Sequence, residues 1–309
     1  MSINILNMEN FDSIQEKDIV TLKTYNESLK EIRKVEKCNS ICSIRKISDN
    51  EYIDLKTGEV KECNHIENRS QNVNSIKLSM KKIRDLINAN ISPANKKQWL
   101  FITLTYRKNM KDTKKVYHDF RNFKKRFKEK YPSFEKYINV IEPQGRGAWH
   151  LHCFFGFTGN APYIANLQDL WLQGFVNIRQ IGDIDNLGAY LSAYLCDIEV
   201  SDNNIYECQR NGMQQIQEVE KEVEENGKKI KKKFIKGGRL YMYPPKMNIV
   251  RHSKNIKKPI EEKILYKNAR KKVGLAQPTY KNCKIITTEN FSNVIIYEQY
   301  NLSRKQKSN

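Results

Sequence analysis

The chain has 309 residues, and its 55 Lys and Arg against 35 Asp and Glu give a formal net charge of +20. A charge this positive indicates a polyanionic partner, most commonly nucleic acid. Only 39% of the residues are hydrophobic, no run approaches the ~18 apolar residues of a membrane span, and the N-terminus lacks a secretory signal pattern. We therefore expect a cytoplasmic protein without a membrane partner, whose seven cysteines are reduced.

Residues 1–95 are predicted to form a polar N-terminal region that contains a hairpin and a helix. Residues 1–35 are charged and show no clear periodicity, which predicts a loosely ordered arm. A turn at residues 56–58 predicts a hairpin within residues 44–62. In residues 74–90 the apolar side chains recur at helical spacing, which predicts a helix.

A change of pattern marks the second region, residues 96–200, which we predict to be a compact catalytic domain. Residues 99–106 are apolar, aromatic and β-branched, as is typical of a buried strand. Thr113 is a candidate cap for a basic helix that follows. Further strands are predicted at 136–142, 149–157 and 174–181, and further helices at 163–171 and 185–198. This order predicts an α+β fold with a central, mainly antiparallel sheet flanked by helices.

Two charged segments follow the predicted domain. Residues 201–236 are dense in Glu and then in Lys and present no apolar face, so we expect a solvated helix pair or a disordered loop. Residues 237–309 are basic and are expected to pack on the catalytic unit and to add DNA contacts. The regions 1–95 and 237–309 are thus N-terminal and C-terminal extensions.

Two histidines at alternate positions of a predicted strand form half of a candidate metal site. His150 and His152 share one face because side chains alternate along a strand, and Leu151 projects from the other face. Glu142 ends the preceding strand, and a glycine turn at 145–147 should bring the two strands together. Two imidazoles and a carboxylate suit Mg²⁺ or Mn²⁺. The alternatives are a chance pair of surface histidines and a salt-bridged Glu142.

Two tyrosines lie one turn apart in the predicted helix 185–198. Tyr190 and Tyr194 lie on the flank of its leucine stripe and are candidate nucleophiles, with ordinary core-edge tyrosines as the alternative. A phenol has a pKa of ~10 and is a poor nucleophile at neutral pH. It would need a nearby cation, or a metal that polarises the phosphate.

Taken in order, these segments resemble the His-hydrophobe-His (HUH) endonucleases, and most closely the rolling-circle replication initiators (Rep proteins) of plasmids and filamentous phages. Three motifs of that family are matched in order. Residues 101–106 (FITLTY) match the first motif, residues 142–152 (EPQGRGAWHLH) match the metal motif, and residues 186–195 (NLGAYLSAYL) match the tyrosine motif. Residues 238–245 (GRLYMYPP), followed by Arg251, are similar to some members as well. The resemblance covers residues 97–200 well and residues 237–259 loosely.

The resemblance implies a function and a set of partners. Proteins of this kind nick and rejoin single-stranded DNA, so His150, His152 and Glu142 would hold Mg²⁺ or Mn²⁺. Tyr194, or Tyr190, would form a 5′-phosphotyrosine link and release a 3′-OH that can prime a polymerase. The expected partners are a single-stranded origin hairpin, a host polymerase and a separate helicase, because the chain has no phosphate-cradling ATPase loop.

One departure from the family concerns a lysine that many members carry three residues after the catalytic tyrosine. Ala193 and Asp197 stand at those positions here, so we expect a cation from elsewhere to replace it, from Arg239, Lys246 or Arg251. The basic residues expected to contact the DNA backbone are Lys114, Lys124, Lys125, Arg146, Arg239, Lys246 and Arg251. The aromatic residues Tyr106, Trp149 and Trp171 either stack on unpaired bases or pack in the core.

Two other functions are open at this point. A mobilisation relaxase or single-strand transposase shares the chemistry, but relaxases usually carry a third metal histidine and an N-terminal tyrosine, and neither is evident. A non-enzymatic basic DNA-binding protein would explain the charge but not the clustering of Glu142, His150 and His152 with a tyrosine pair.

Four potential zinc ligands lie around the predicted N-terminal hairpin. Cys38, Cys42, Cys63 and His65 are residue types that bind structural zinc. Their spacing is not that of two Cys-x-x-Cys knuckles, so unrelated reduced thiols are the alternative.

Overall fold

The computed structural model describes residues 4–8, 11–38, 43–63, 73–182, 197–213, 216–225, 228–245, 247–289 and 291–303. The chain forms two compact units, of which unit 1 comprises residues 1–65 and 258–309 and unit 2 comprises residues 66–257. Both are built mainly on antiparallel sheets with flanking helices, so the predicted α+β fold class is confirmed. In the described part of the chain no helix is long and apolar enough to cross a membrane.

The strands of the described residues, in chain order, are β1 (Asn4–Met8), β2 (Ile19–Thr24), β3 (Leu29–Val35), β4 (Ile44–Lys46), β5 (Glu51–Asp54), β6 (Val60–Glu62), β7 (Trp99–Thr105), β8 (Phe134–Pro143), β9 (Trp149–Phe157), β10 (Val176–Gln180), β11 (Ile198–Glu199), β12 (Glu218–Glu225), β13 (Lys228–Ile235), β14 (Val250–His252), β15 (Ile260–Leu265), β16 (Tyr280–Thr288) and β17 (Phe291–Asn301). The α-helices are α1 (Val73–Asn90), α2 (Thr113–Lys130), α3 (Gln168–Trp171), α4 (Asp202–Arg210) and α5 (Tyr266–Val273).

Unit 2 is organised around a five-stranded antiparallel sheet of order β10-β7-β9-β8-β14. The four strands β7 to β10 lie within two residues of their predicted positions, because each is a short apolar or alternating run bounded by turn residues. Helix α2 covers one face of this sheet, where Phe123 and Phe127 pack on Phe155 of β9. The other face, which we call the site face, carries the alternate side chains of the same strands.

Two predictions about the helices of unit 2 need correction. Helix α2 is capped by Asp112 and not by Thr113, because the Asp112 carboxylate accepts hydrogen bonds from the amides of Lys114 and Lys115, as an N-cap side chain does. The helix predicted over 163–171 is only the single turn α3. Asn166 has a left-handed φ of 54°, which interrupts a helix before it can extend.

The prediction of a helix pair or a disordered loop over residues 201–236 is wrong. Residues 202–210 form α4, and β12 and β13 form an antiparallel hairpin that pairs with β11. The register sets acidic residues opposite basic ones, such as Glu220 opposite Lys233 and Glu222 opposite Lys231. Opposite charges on facing strands stabilise a hairpin, and a pairing of this kind produces no apolar stripe in the sequence.

Unit 1 contains a six-stranded antiparallel sheet of order β1-β16-β17-β3-β2-β15. The prediction of a loosely ordered arm over residues 1–35 is therefore wrong, since this segment supplies β1, β2 and β3, and Leu22 and Ile32 are fully buried. Residues 258–309, expected with the catalytic unit, contribute β15, β16 and β17 to this sheet. Three of its pairings, β1 with β16, β17 with β3 and β15 with β2, join the two ends of the chain, and such pairings leave no local pattern in the sequence.

The remaining N-terminal elements agree with the sequence. Strands β4, β5 and β6 form a small sheet, and Gly58 takes a φ of +74° in the predicted turn between β5 and β6. Of the potential zinc ligands, Cys38 is exposed and Cys63 is half-buried. Cys42 and His65 lie outside the described residues, so the zinc site stays a prediction.

Candidate active site

The register of three strands brings the predicted metal ligands together on the site face. His150 lies directly opposite Glu142 of β8 on one side and Thr105 of β7 on the other, and His152 lies opposite Thr103. Directly opposed side chains in antiparallel strands have Cβ atoms about 4.5–5.5 Å apart. Leu104, Leu151 and Ile141, which alternate with these polar residues, are buried on the α2 face.

The polar side chains of the site face form one hydrogen-bonded cluster. Nε2 of His152 lies 2.8 Å from Oε2 of Glu142, and its Nδ1 lies 3.4 Å from the hydroxyl of Thr103. The ring of His152 is also stacked on Phe101, with centroids 5.8 Å apart and an interplanar angle of 4°. Both edges and one face of this imidazole are thus held in place.

A glutamine from the turn after β8 orients His150. Nε of Arg146 donates to Oε1 of Gln144 at 3.1 Å, which leaves the Gln144 amide to face Nε2 of His150 at 2.8 Å. Since an amide nitrogen only donates, Nε2 of His150 is the unprotonated nitrogen. The hydroxyl of Thr105 lies 2.6 Å from the same atom.

Burial lowers the pKa of His150 to about 4, and the neighbouring positive charges act in the same direction, whereas Glu142 opposes them. The imidazole of His150 is therefore neutral at pH 7, which is the form that offers a lone pair to an acid or an ion.

Arg239 is a second cation in this cluster, beside Arg146. Its guanidinium lies 2.6 Å from Oε1 of Glu142 and donates to the carbonyl of Pro143 at 2.8 Å. Of the three cations expected to replace the missing lysine, Arg239 is the one that the structure places beside Glu142. Arg251 lies on the α2 face with its guanidinium 4.6 Å from the ring centre of Tyr117, and Lys246 lies outside the described residues.

A buried carboxylate holds the loop that delivers Arg239. Oδ1 of Asp197 accepts a hydrogen bond from the Gly237 amide at 2.6 Å, and its other oxygen pairs with Lys221 of β12. Gly237 has a φ of +68°, which favours glycine. Asp197, noted above at a position where relatives carry a lysine, therefore anchors the loop that carries a replacement cation.

The other basic residues expected to bind DNA lie in two places. Lys114, Lys124 and Lys125 belong to α2, which covers the opposite face of the sheet, and Nζ of Lys124 lies 4.0 Å from the ring centre of Tyr137. Arg146 belongs to the turn beside His150, where it also donates to the carbonyl of Tyr106. The candidate nucleophiles Tyr190 and Tyr194 lie outside the described residues.

Three aromatic residues that could have stacked on bases are core residues. Tyr106, Trp149 and Trp171 are all buried, and their polar atoms are bonded to protein groups: the Tyr106 hydroxyl to Asp119, and the indole nitrogens to backbone carbonyls.

The exposed aromatic residue near the site is Phe175, which the sequence analysis did not select. Its carbonyl accepts from the amide of Thr105 at 2.9 Å, so it continues the β10–β7 ladder beside Thr105 on the site face, and it is 59% exposed. Gln144 was also missed as a site residue. In the sequence, polar Asn177 and Arg179 alternate with apolar Val176 and Ile178, and this alternation is the signal that separates the two faces of the strand.

The donor set fits a divalent ion in chemistry but is engaged with protein partners. Glu142 bonds both His152 and Arg239, and His150 bonds Thr105 and Gln144. Among the residues that the structure describes, no group of three His, Cys, Asp or Glu side chains is arranged around a common ion position. An ion held by these three side chains would have to displace the bond between His152 and Glu142, and the Gln144 amide from Nε2 of His150.

The site is thus a pair of histidines and a carboxylate on one sheet face of an α+β unit. Residues 99–199 match the model of a family described as Replication-associated protein ORF2, and this similarity supports a replication-associated, Rep-type protein. The matched segment contains Glu142, His150, His152 and both candidate tyrosines. No curated protein and no solved structure matches the chain.

Proposed function

We propose that this protein is a rolling-circle replication initiator that nicks and rejoins single-stranded origin DNA. The observation that carries the proposal is the juxtaposition of Glu142, His150 and His152 on one sheet face, inside the segment that is similar to replication-associated proteins. The net charge of +20 supports a nucleic-acid substrate. The alternatives are a relaxase or single-strand transposase, which shares the cleavage chemistry, and a non-enzymatic DNA-binding protein, which the test below distinguishes by its lack of a covalent adduct.

In this proposal His150, His152 and Glu142 hold Mg²⁺ or Mn²⁺. A bound divalent ion would polarise the scissile phosphate and stabilise the charge that develops on its oxygens. Gln144 and Thr105 hold His150 in the tautomer with an unprotonated Nε2, which would become a ligand once the Gln144 amide moves aside. Phe101 fixes the plane of the His152 ring. Arg239 brings a permanent positive charge to the same place.

The proposed nucleophile is Tyr194, with Tyr190 as the second tyrosine. The phenol oxygen attacks the phosphorus in line, the bond from phosphorus to the 3′-oxygen breaks, and the DNA 5′-phosphate becomes linked to the tyrosine. The phenol loses its proton, and the released 3′-oxygen takes one up as a hydroxyl. That 3′-OH can prime a host polymerase or attack the phosphotyrosine to rejoin the strand, while a separate helicase unwinds the duplex.

The test incubates the protein with Mn²⁺ and a labelled single-stranded hairpin oligonucleotide and looks for a covalent protein–DNA band. We expect a band that is lost when Tyr190→Phe and Tyr194→Phe are combined, and that is lost in a His150→Ala, His152→Ala variant. The matched control is Tyr163→Phe, which removes the hydroxyl of a tyrosine that is 91% exposed.

Each contrary outcome contradicts a different part of the proposal. If no hairpin in a panel gives an adduct, the protein would be a DNA-binding protein without nuclease activity. An adduct that survives loss of both tyrosines would place the nucleophile elsewhere, and metal-dependent cleavage that survives loss of both histidines would place the metal elsewhere.

A further inference from the structure

Helix α5 covers one face of the six-stranded sheet of unit 1. The other face, which we call the open face, is exposed in part, since its residues Lys23, Leu29 and Glu31 are buried. Helix α5 packs on the first face, where Ala269 and Val273 join Leu22, Ile32 and Ile296 in a core cluster. Because side chains alternate along each strand, the residues between these core positions point to the other face. An antiparallel sheet can leave such a face in contact with solvent.

Aromatic rings lie on this open face. Tyr280 on β16 and Phe291 on β17 are 52% and 47% exposed, and Tyr297 is half-buried with its ring centre 6.0 Å from that of Tyr280. Phe291 and Tyr297 are six residues apart on one strand, or about 20 Å at ~3.4 Å per residue. The adjacent rings of Tyr280 and Tyr297, with Phe291 further along the same face, are candidate contacts for a binding partner.

Positive charges lie on the same face of the sheet as these rings. The register places Arg33 directly opposite Tyr297, and Lys263 opposite Thr21 in the same cross-strand row. Lys284 lies on the same face of β16. Arg33, Lys263 and Lys284 are exposed, and none of the three forms an ion pair with a described residue.

The acidic groups of the same face are already engaged. Glu31 is buried and accepts a hydrogen bond from the Tyr25 hydroxyl at 2.9 Å, and Glu261 pairs with Lys23 at 2.8 Å. The charges that the open face presents to a ligand are therefore predominantly positive.

We propose that the open face of unit 1, formed by Tyr280, Phe291, Tyr297, Arg33, Lys263 and Lys284, is a binding surface for single-stranded DNA. Unpaired bases stack on exposed rings, and flanking cations bind the backbone phosphates, which is how single strands are held with little sequence preference. Duplex DNA offers no free base faces to such rings. The choice of DNA as the strand rests on the proposed nicking function, whereas the chemistry of the surface is independent of it.

The experiment measures binding of a fluorescein-labelled oligothymidine to the full chain by fluorescence anisotropy, with EDTA present to prevent cleavage. Combined Tyr280→Ala and Tyr297→Ala substitutions should weaken binding by roughly 5- to 150-fold for each ring that stacks on a base. Tyr280→Phe with Tyr297→Phe keeps both rings and should bind as the unaltered protein does. Tyr206→Ala, at an aromatic residue that is 59% exposed in unit 2, is the matched control.

The cations have a separate readout. Arg33→Ala with Lys263→Ala should reduce the slope of log affinity against log salt concentration by about 0.7 for each phosphate contact that is lost. Lys267→Ala, an exposed lysine on α5, should leave that slope unchanged, because α5 lies on the covered face.

The outcomes separate this surface from the proposed nuclease. Wild-type affinity in both alanine variants, or tighter binding of duplex DNA or oligouridine than of oligothymidine, would overturn the surface proposal. Covalent adduct formation with a saturating hairpin should persist in these variants, because their substitutions lie outside the candidate active site. Ring-dependent binding without any adduct would instead support the surface and contradict the nuclease.

Discussion

Glu142 is shared between an imidazole and a guanidinium. Arg239 lies 2.6 Å from one oxygen of Glu142, and His152 lies 2.8 Å from the other. A cation at this distance competes with a divalent ion for the same carboxylate, and repels that ion by several kcal/mol at an effective dielectric of about 20. Arg239 is also placed to neutralise charge on a bound phosphate. These two roles predict opposite effects on metal binding and on cleavage.

Arg239→Gln is expected to tighten Mn²⁺ binding at least several-fold and to slow nicking, because it removes a cation that competes for Glu142 and that stabilises charge on the phosphate. Isothermal titration gives the metal affinity, and the yield of covalent adduct gives the activity. Arg210→Gln, at an exposed site on α4, should change neither. If Arg239→Gln weakened Mn²⁺ binding, as Glu142→Gln should, the competition between the two cations would be ruled out.

Asp197 is expected to stabilise the Arg239 loop. Asp197→Ala removes the carboxylate of a buried ion pair with Lys221, and breaking such pairs costs about 3–5 kcal/mol. We expect faster hydrogen exchange in residues 235–243 and a lower free energy of unfolding. Asp202→Ala, at an exposed residue of α4, serves as the control. Unchanged exchange in the loop would mean that Asp197 does not hold it.

At the scale of elements, the edge strand β10 depends on a close approach of two backbones. A Cβ atom on Gly174 would lie 2.3 Å from the carbonyl oxygen of Thr105 and 2.5 Å from the amide nitrogen of Arg107. Both are backbone atoms that no rotamer change can move aside. Glycine at this position therefore allows β10 to join β7 and brings Phe175 beside the site.

Gly174→Ala is expected to push β10 away from β7 and to destabilise the protein by about 1–3 kcal/mol, as overpacking does. Unfolding midpoints should fall by roughly 2–4 °C per kcal/mol for a unit of this size. Gly182→Ala is the matched variant, since nothing lies within 4 Å of its added Cβ. Equal midpoints in the two variants would contradict the close approach.

At the scale of the whole molecule, the net charge of +20 predicts a strong dependence of DNA binding on salt. If about five phosphates are contacted, the affinity for a single strand should fall roughly 10²-fold between about 50 and 200 mM salt. Anisotropy titrations with an oligothymidine at several salt concentrations measure the slope. An affinity independent of salt would mean that the positive charge does not bind the DNA backbone.

The elements that could be predicted from the sequence are those with a strong local pattern. Strands β7 and β9 are short apolar runs, and α1 has an apolar stripe, so their hydrophobic periodicity identifies them. The sheet of unit 1 joins strands from both ends of the chain, and the hairpin of β12 and β13 is paired through charges. The hairpin has no apolar stripe, and the sheet depends on pairings between the two ends of the chain, so neither follows from a local pattern.

His150 and His152 alternate about Leu151, and Glu142 precedes a short turn. This pattern by itself determined that the three polar side chains share one sheet face, because side-chain alternation and a tight turn are local properties of the chain. Only the tertiary structure decided which cation joins them. Arg239 reaches Glu142 because Asp197, 40 residues before Gly237, holds its loop. A contact between residues so far apart depends on how the whole unit folds, and no pattern within either segment encodes it.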